Sequence, residues 1–455
     1  MLTYELKKSP GVPLYEALYR CIRADILSGA LQPGEKLPSK RALAEHLEVS
    51  KITVETAYNQ LLAEGYLLSR EKVGYFVEKV EGAPGAVVSH SLPEPESVEP
   101  PLLDLTAGGT EHFPFSVWSR LQRAVMLDYG ERLLQPMPNQ GIGELRQAIA
   151  DHLAAFRGME VDPDRILVGA GTDFLCNLLI QLLGRDISYA VEEPGYGKIR
   201  KIYAAGGVSC IGAVMDDRGV CPEGLGSARV LHCSPSHHFP TGLVTPLSRR
   251  QELIAWANRV EGWIIEDDYD SEFRFDARPM PALQRLDSRR VIYMNSFSRS
   301  LAPSIRISYM VLPPELMTRF RQELGFYGCT VPSFEQYTLA RFLSQGYFEK
   351  HINRMRKFYK TRRNRVVSLL QTGIPAQRIT ILEQDAGLHF LIRVDTPLSD
   401  EALTEQFRKA GIRIRSLGSF YHQDAGADTH TFVVNYSVLK EDALAGALEA
   451  LKEIL

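Results

Sequence analysis

Small hydroxyl residues, glycines and an arginine follow short apolar runs in two parts of the chain, in patterns suited to binding a phosphate. The run ILVGAG leads into Gly171 and Thr172 at the start of a predicted helix, where free amides and the helix dipole favour an anion. In NSFSRSLAPSIRISY, the spacing of Ser296, Ser298 and Arg306 lets them gather around one anion. A Gly-x-Gly sequence alone more often makes only a tight turn, so the prediction depends on both segments.

A second group of chemically useful residues ends the apolar run GWIIEDDYDSEF, where Asp267, Asp268 and Tyr269 follow directly. This is more carboxylate than the edge of a core accommodates unless a cationic group is bound there. A solvated acidic loop is the alternative interpretation. The turn SPSHHFPTG adds polar groups, but His237 and His238 are adjacent on an extended segment and point in opposite directions. We therefore expect neither a metal site nor a catalytic histidine there.

The elements that must position these residues alternate along positions 103–455. Short apolar runs such as RILVGAG, RVLHCSPS and RVIYMNSFS are interleaved with helical stretches such as FLCNLLIQLLG and RRQELIAWANRV. This alternation predicts an α/β fold, in which helices cover both faces of a mostly parallel sheet and ligand-binding groups lie at the strand ends. From about residue 355 the alternation is less regular, so we expect residues 355–455 to form a smaller α+β subdomain.

Residues 1–79 have a different pattern, which predicts three helices and a hairpin. The stretch PLYEALYRCIRADILS has the apolar spacing of an amphipathic helix, and Ser39 and Ser50 are placed to cap two further helices. The tail YLLSREKVGYFV has two β-rich runs around a charged tip. This order predicts a winged helix-turn-helix, whose second helix presents polar side chains to DNA. The candidate DNA contacts are Ser39, Lys40, Arg41, Ser50, Lys51, Thr53, Thr56, Lys72 and Gly74.

The charge balance, 52 Lys+Arg against 55 Asp+Glu in 455 residues, at first counts against a nucleic-acid partner. Its distribution changes that conclusion, because the first 79 residues carry a net charge of +1 and the rest a net charge of −4. The alternative for the first segment is a docking module whose serines and threonines serve only as helix caps. Residues 80–102, with five prolines and four glutamates, predict an extended linker.

Composition excludes several other classes of protein. A hydrophobic content of 45% and the lack of any apolar run approaching about 18 residues predict a folded protein with no membrane-spanning helix. Six cysteines occur without a Cys-x-x-Cys pair, which argues against both a zinc site and a disulfide framework. We therefore expect a cytoplasmic protein without a metal.

The first segment resembles a known DNA-binding domain. The run from PLYEALYRCIRADILSGA to YNQLLAEGYL resembles the winged helix of GntR-family bacterial transcription regulators, including the PGEKLPS turn, the RALAEHLEVS helix and the T-V-x-x-A-Y-x-x-L reading helix. One departure is Lys51, where arginine is common in the family. The lysine keeps a positive charge for a phosphate but loses the planar guanidinium fork.

The polar segments of the large body, in this order and spacing, resemble the fold-type I aminotransferase domain, whose cofactor is pyridoxal 5′-phosphate (PLP). A GntR-type head, a proline-rich linker and such a body together resemble the MocR/GabR subfamily of regulators. The motifs WIIEDDYDSEFRF, NQGIGELRQAIADHL and SFSxSLAPSIRISY carry the resemblance. It implies a homodimer that binds two half-sites of double-stranded operator DNA, with PLP or a PLP–amino-acid adduct as effector.

The resemblance also implies roles for particular residues. Asp267 would pair with the pyridine nitrogen of PLP, and Tyr269 would bond the ring hydroxyl. Tyr196, in EEPGYGK, would lie near the ring or an incoming amino acid. The implied phosphate ligands are Gly171, Thr172, Ser296, Ser298 and Arg306.

Arg299, in SFSRSLAPS, stands where the family pattern has the lysine that forms the Schiff base with PLP. A Schiff base needs a neutral primary amine, whereas a guanidinium stays protonated and its lone pairs are delocalised. We therefore predict that PLP binds without a covalent bond and that aminotransferase activity is absent. Natural loss and engineered replacement of a lysine both fit the arginine. The alternative function is a PLP-dependent aminotransferase with an appended DNA-binding module.

A second departure concerns the substrate carboxylate. The enzymes hold it with an arginine near the C-terminal strand, but TFVVNYSVL contains none. Arg413 and Arg415 are the nearest arginines in sequence.

Overall fold

The computed structural model describes residues 2–4, 6, 13–70, 73–79, 103–109, 111–275, 280–382, 387–422 and 428–455. Two units make up the chain, Met1–Glu99 and Pro100–Leu455. Lys72 and the predicted linker, 80–102, lie outside the described residues. The domain boundaries 1–79, 80–102 and 103–455 therefore stay predictions. No helix in the described part of the chain is both long and apolar enough to cross a membrane.

The first unit begins with three helices, each with a recognisable local cause. They are α1 (Leu14–Ser28), α2 (Lys40–His46) and α3 (Lys51–Ala63). Gly29, in a left-handed conformation with φ 78°, ends α1. The Ser39 hydroxyl accepts a hydrogen bond from the amide of Ala42, and that of Ser50 from Thr53. The two predicted caps are confirmed.

A two-stranded antiparallel hairpin completes this unit. Its strands are β1 (Leu67–Arg70) and β2 (Gly74–Val77). The Tyr58 ring from α3 packs edge-on against Tyr75 from β2, with 5.0 Å between centroids, and the Tyr58 hydroxyl donates to the Pro38 carbonyl at 3.0 Å. The hairpin is therefore fixed to the helices through a shared apolar core. The predicted winged helix-turn-helix is confirmed.

The second unit is built around an eight-stranded sheet. Its strands are β4 (Ile166–Gly169), β5 (Tyr189–Glu193), β6 (Cys210–Asp216), β7 (Gly219–Val220), β8 (Val230–Cys233), β9 (Trp263–Asp267), β10 (Val291–Ser296) and β11 (Ser308–Val311), in the order β4-β11-β10-β9-β8-β5-β6-β7. The five central strands, from β6 to β10, are mutually parallel, and β11 and β7 run antiparallel to their neighbours. The prediction of a mostly parallel sheet is confirmed at its centre.

Helices surround this sheet. They are α4 (Phe115–Tyr129), α5 (Gly143–Arg157), α6 (Thr172–Leu183), α7 (Gly197–Ala205), α8 (Leu247–Arg259), α9 (Leu283–Leu286), α10 (Phe297–Ser300), α11 (Pro314–Arg319) and α12 (Ser333–Ser344). Apolar clusters lie on both of its faces: Leu167 and Ile265 belong to one, and Val168 and Tyr293 to another. Both faces of the sheet are therefore buried, as expected for this architecture.

The last hundred residues form a smaller subdomain. Its helices are α13 (Tyr347–Gly373), α14 (Asp400–Lys409) and α15 (Glu441–Ile454), and its antiparallel sheet has the order β12 (Ile379–Leu382), β13 (His389–Val394), β16 (Thr431–Asn435) and β15 (Arg415–Ser416). A separate short pair joins β3 (Leu103–Asp104) to β14 (Ile412–Arg413). The predicted α+β subdomain is confirmed.

The carboxylates at the end of β9 are neutralised by the protein itself. Asp268, 1% exposed, lies 3.2 Å from the Nε of the buried Arg157 and accepts hydrogen bonds from the hydroxyls of Ser271 and Tyr293. Glu266, 0% exposed, accepts from two backbone amides at the start of α9 and lies 3.6 Å from Arg250. The interpretation as a solvated acidic loop is therefore wrong. For these two carboxylates, the expected cations are internal arginines.

We expect Arg157→Leu to destabilise the second unit by about 3–5 kcal/mol, because it leaves the Asp268 charge buried without its partner. Urea unfolding followed by tryptophan fluorescence reports on this unit alone, since the three tryptophans are Trp118, Trp256 and Trp263.

The matched control is Arg218→Leu, which removes an arginine paired with Glu252 at 2.9 Å on the surface. Because both side chains of that pair are exposed, the loss should be about 0–1 kcal/mol. Equal losses in the two variants would contradict the importance of the buried pair.

Candidate functional site

One cavity of about 690 Å³ in the second unit collects the residues predicted from the sequence. It opens where β5, β8, β9 and β10 end and where α6 and α7 begin. The predicted residues that line it are Gly171, Thr172, Tyr196, Asp267, Tyr269, Ser296, Ser298, Arg299 and Arg306. The structure thus brings together all nine residues of the predicted cofactor site.

One end of the cavity is a turn that only glycine can make. Gly171 has φ 90° and precedes α6, whose first residue is Thr172. A Cβ atom at position 171 would lie 2.5 Å from the Nη2 atom of Arg306. The absence of a side chain therefore lets the guanidinium approach the first turn of α6. The hydroxyl of Ser296, opposite, accepts a hydrogen bond from the amide of Ser298 at 3.2 Å.

A buried carboxylate faces the middle of the cavity. The Oδ1 atom of Asp267 is buried and has no hydrogen-bond partner among the described residues. The Oδ2 atom lies 3.5 Å from the Nε2 of His232, whose Nδ1 is 2.6 Å from the hydroxyl of Tyr203. His232, whose other ring nitrogen contacts the Tyr203 hydroxyl, thus lies beside the Asp267 carboxylate. The sequence analysis missed His232, although an isolated histidine in the apolar run RVLHC was a usable signal.

The two adjacent histidines point in different directions, as predicted. The Nδ1 of His237 lies 2.8 Å from Asp270 and 3.3 Å from the hydroxyl of Tyr269. The Nδ1 of His238 lies 2.7 Å from the Thr241 hydroxyl. His237 therefore orients Tyr269 at the cavity wall. Among the described residues, no group of three or more His, Cys, Asp or Glu side chains is arranged to hold a metal ion.

Arg299 lies in α10 and lines the cavity, and its guanidinium lies close to Gly108. A Cβ atom at Gly108 would lie 2.9 Å from its Nη1 atom and 3.1 Å from the amide nitrogen of Asn435. Gly108 therefore leaves the room that the long guanidinium side chain needs. Position 299 offers the cavity a fixed cation and no primary amine.

Arg413 and Arg415 of the small subdomain are the two arginines considered as ligands of a substrate carboxylate, and one of them reaches the cavity. Arg415 lines the cavity, and its guanidinium lies 4.0 Å from the centre of the Phe420 ring. Arg413 instead lies 3.2 Å from Asp104, outside the cavity lining. Phe420 in turn packs edge-on against Phe239, which also lines the cavity.

Cations outnumber anions around the cavity. The lining cations are Lys198, Arg200, Lys201, Arg299, Arg306 and Arg415. The lining carboxyl groups are Asp173, Glu192, Glu193 and Asp267. Burial raises the pKa of Glu192 to about 8, so this carboxyl group is mostly neutral at pH 7. The cavity therefore favours an anionic ligand. The sequence analysis missed Asp173, Glu192 and the two lysines.

The starts of α2 and α3 present the candidate DNA contacts of the first unit. Arg41 and Lys51 are exposed there, whereas Lys40 forms an ion pair with Glu55 at 2.8 Å and is 17% exposed. Ile52, which is 74% exposed beside Lys51, was not among the DNA contacts predicted from the sequence.

The hydroxyls among these candidates are largely committed to the backbone. Ser39 and Ser50 cap their helices, Thr53 shares a hydrogen bond with Ser50 at 2.8 Å, and the Thr56 hydroxyl donates to the Ile52 carbonyl. Gly74 is the first residue of β2.

The chain matches known proteins along nearly its whole length. Residues 14–77 match the bacterial regulatory proteins of the gntR family, and residues 101–451 match the aminotransferase class I and II family. The probable rhizopine catabolism regulatory protein MocR of Rhizobium meliloti is 34% identical over 92% of this chain and 89% of its own. The chain belongs to the MocR-type subfamily of GntR-family transcription regulators. This MocR-type regulator combines a DNA-binding head with an aminotransferase-like unit.

Other relatives agree. The HTH-type transcriptional regulator YdeL of Bacillus subtilis is 36% identical to this MocR-type regulator, over 99% of this chain and 98% of its own. The HTH-type pyridoxine biosynthesis transcriptional regulator PdxR of Corynebacterium glutamicum is 32% identical over 95% and 94%. A kynurenine aminotransferase structure from Pyrococcus horikoshii covers 77% of this chain and 90% of its own, with a TM-score of 0.67 and 24% identity. That likeness shows the aminotransferase fold.

The buried Glu192 of this MocR-type regulator gives a pH prediction. The backbone amide of Ser234 donates a hydrogen bond to the Oε1 atom of Glu192, which lowers the pKa of this carboxyl group. Burial is the larger effect and raises that pKa to about 8. The unfolded chain releases this proton near pH 4.5, so Glu192 makes the folded state less stable as pH rises from about 5 to 8. We expect Glu192→Gln to reduce that loss of stability, by up to about 1.4 kcal/mol per pH unit.

Urea unfolding between pH 5 and 8 measures this effect. Glu223→Gln, which changes an exposed carboxyl group, is the control and should leave the pH dependence unchanged. An identical slope in wild type and Glu192→Gln would show that Glu192 ionises normally.

Proposed function

We propose that this MocR-type regulator senses PLP, or a PLP–amino-acid adduct, in its aminotransferase-like unit and thereby changes its binding to operator DNA. The observation that carries the proposal is the single cavity lined by all nine residues of the predicted site. The printed name of its relative PdxR, a regulator of pyridoxine biosynthesis, supports an effector of this class.

The chemistry of the lining residues fits PLP. Asp267 offers a buried carboxylate oxygen without a partner among the described residues, as a protonated pyridine nitrogen requires. The first turn of α6 and the guanidinium of Arg306 would hold the phosphate, and Gly171 leaves room between them. Tyr269, oriented by His237, would meet the ring hydroxyl. When bound in an enzyme, PLP acts as an electron sink.

We infer that PLP is held here without a covalent bond. Arg299 supplies a permanent positive charge at the position where catalysis requires an amine that can lose and regain a proton. Binding then depends on the phosphate, the ring nitrogen and the ring hydroxyl. Such binding is reversible on dilution, which suits a sensor better than an enzyme.

A homodimer is the assembly we propose for DNA binding. Large apolar side chains of the second unit are exposed, which supports a protein interface there. They include Phe115, Met126, Leu127, Leu134 and Phe326. Two second units in contact would carry two heads, which would bind the two half-sites of a palindromic operator.

Borohydride reduction in the presence of PLP tests the binding mode. We expect wild type to quench or shift the PLP signal on binding yet retain no PLP in peptides 197–201 or 298–300 after reduction and mass spectrometry. Arg299→Lys should gain a reducible bond at position 299, because it restores the primary amine. Neither wild type nor its apo form should transaminate added amino acids.

Arg413→Lys is the matched control, since Arg413 lies outside the cavity lining and should gain no PLP. Reduced PLP on Lys198 or Lys201 of wild type would overturn the non-covalent binding mode. Failure of wild type and Arg299→Lys to bind PLP at all would overturn the proposed effector.

Measurement of DNA affinity at several salt concentrations tests whether the first unit binds DNA through Arg41 and Lys51. With an operator selected from random DNA by the full chain, we expect the logarithm of affinity to fall linearly with the logarithm of salt concentration. Lys51→Gln or Arg41→Gln should weaken binding and each reduce the slope by about 1, because each removes one phosphate contact.

Arg20→Gln removes the same charge from α1, where the guanidinium already pairs with Glu16, and should change the slope little. Unaltered slopes in Lys51→Gln and Arg41→Gln would place the DNA contacts elsewhere. PLP binding should be unaffected in all three variants.

A further inference from the structure

Asp173 is a carboxylate in the part of the cavity where the ligand's phosphate is proposed to bind. It is the second residue of α6 and lines the cavity next to Gly171 and Thr172. In the first turn of a helix, a carboxylate interacts favourably with the helix dipole. The same turn, however, is the proposed seat of the phosphate, so two anions would be close together there.

The carboxylate of Asp173 already binds two of the cavity's cations. Its Oδ2 atom lies 2.7 Å from the Nζ of Lys198 and 3.4 Å from the Nη2 of Arg306. Partial burial opposes its ionisation, but the hydrogen bond and charge of Lys198 and the charge of Arg306 keep its pKa below the ordinary value. Asp173 is therefore a stable internal anion.

The Arg306 guanidinium lies against the first turn of α6. Arg306 has a left-handed φ of 51°, and its guanidinium fits against the turn only because Gly171 has no side chain. It also donates to the Ala170 carbonyl at 3.4 Å. The guanidinium therefore lies at the first turn of α6, in contact with both the Ala170 carbonyl and the Asp173 carboxylate.

We propose that Asp173 is an internal competitor of the ligand's phosphate, which must displace the Asp173 carboxylate from Arg306 and Lys198. This inference rests on the proposed function, because it concerns the phosphate of the same ligand. Its consequence is a weaker affinity than the cavity's cations alone would give. Asp173 thus sets the ligand concentration at which the regulator responds.

The opposite role for Asp173 predicts the opposite result. If the carboxylate served to position Arg306 and Lys198 for the phosphate, its removal would weaken binding of the phosphate ligand. If it competes, removal of its charge strengthens binding, because two cations lose their internal partner and one repulsion disappears.

The experiment uses the full chain and a pair of ligands that differ only in the phosphate. 4-Deoxypyridoxine 5′-phosphate carries a methyl group in place of the aldehyde, so it cannot react with lysines, and 4-deoxypyridoxine lacks the phosphate. Calorimetry compares their affinities for wild type, Asp173→Asn and the control Asp186→Asn, which removes an exposed carboxylate elsewhere in the unit. Asp173→Ser provides a second neutral variant, and tryptophan fluorescence checks the folding of each.

We expect Asp173→Asn and Asp173→Ser to bind the phosphorylated ligand about tenfold more tightly than wild type. Binding of 4-deoxypyridoxine should change less than twofold, and Asp186→Asn should behave as wild type. Equal or weaker binding of the phosphorylated ligand by both Asp173 variants would overturn this inference while leaving the proposed function intact. No binding of the phosphorylated ligand by any variant would overturn the proposed function as well.

Discussion

The second unit depends on how the carboxylates at the end of β9 are neutralised. Glu266, Asp267 and Asp268 are consecutive, so they point alternately to the two faces of the sheet. Asp268 is compensated by Arg157, and Glu266 by Arg250 and two backbone amides. Asp267 alone turns to the cavity, where one oxygen has no partner among the described residues. Asp267 is thus the one of these three carboxylates that lines the cavity, where it could meet a cationic ring nitrogen.

The sequence predicted the parts of the structure that depend on local rules. The caps of α2 and α3, the glycine at the end of α1, and the turn at Gly171 each follow from a few neighbouring residues. The resemblance to aminotransferases supplied the residues of the cavity. Contacts between distant segments were beyond prediction. The ion pair of Lys40 with Glu55, and the choice of Arg415 over Arg413, depend on how helices and subdomains meet.

The cavity is lined by the polar residues that the sequence predicted for an aminotransferase-like site, and position 299 carries an arginine. A lysine there would alternate between a charged and a neutral state, whereas Arg299 keeps one charge over the whole physiological range. Including Arg299, six cations and four carboxyl groups line the cavity, and Lys198 and Arg306 are already paired with Asp173. A site of this kind retains its ligand by charge and shape. If PLP is held without a covalent bond, as we propose, occupancy of the cavity follows the concentration of the ligand, which is the property a sensor needs.

The ion pair between Lys40 and Glu55 affects which cations of the DNA-binding head are available to an operator. It joins the first residue of α2 to α3, and Lys40 also lies over the Tyr75 ring, so one side chain connects α2, α3 and the hairpin. The ion pair engages Lys40 within the protein, whereas Arg41 and Lys51 are exposed at the helix starts. In the homodimer that we propose, two heads on one operator would bind with avidity, which depends on the distance between them.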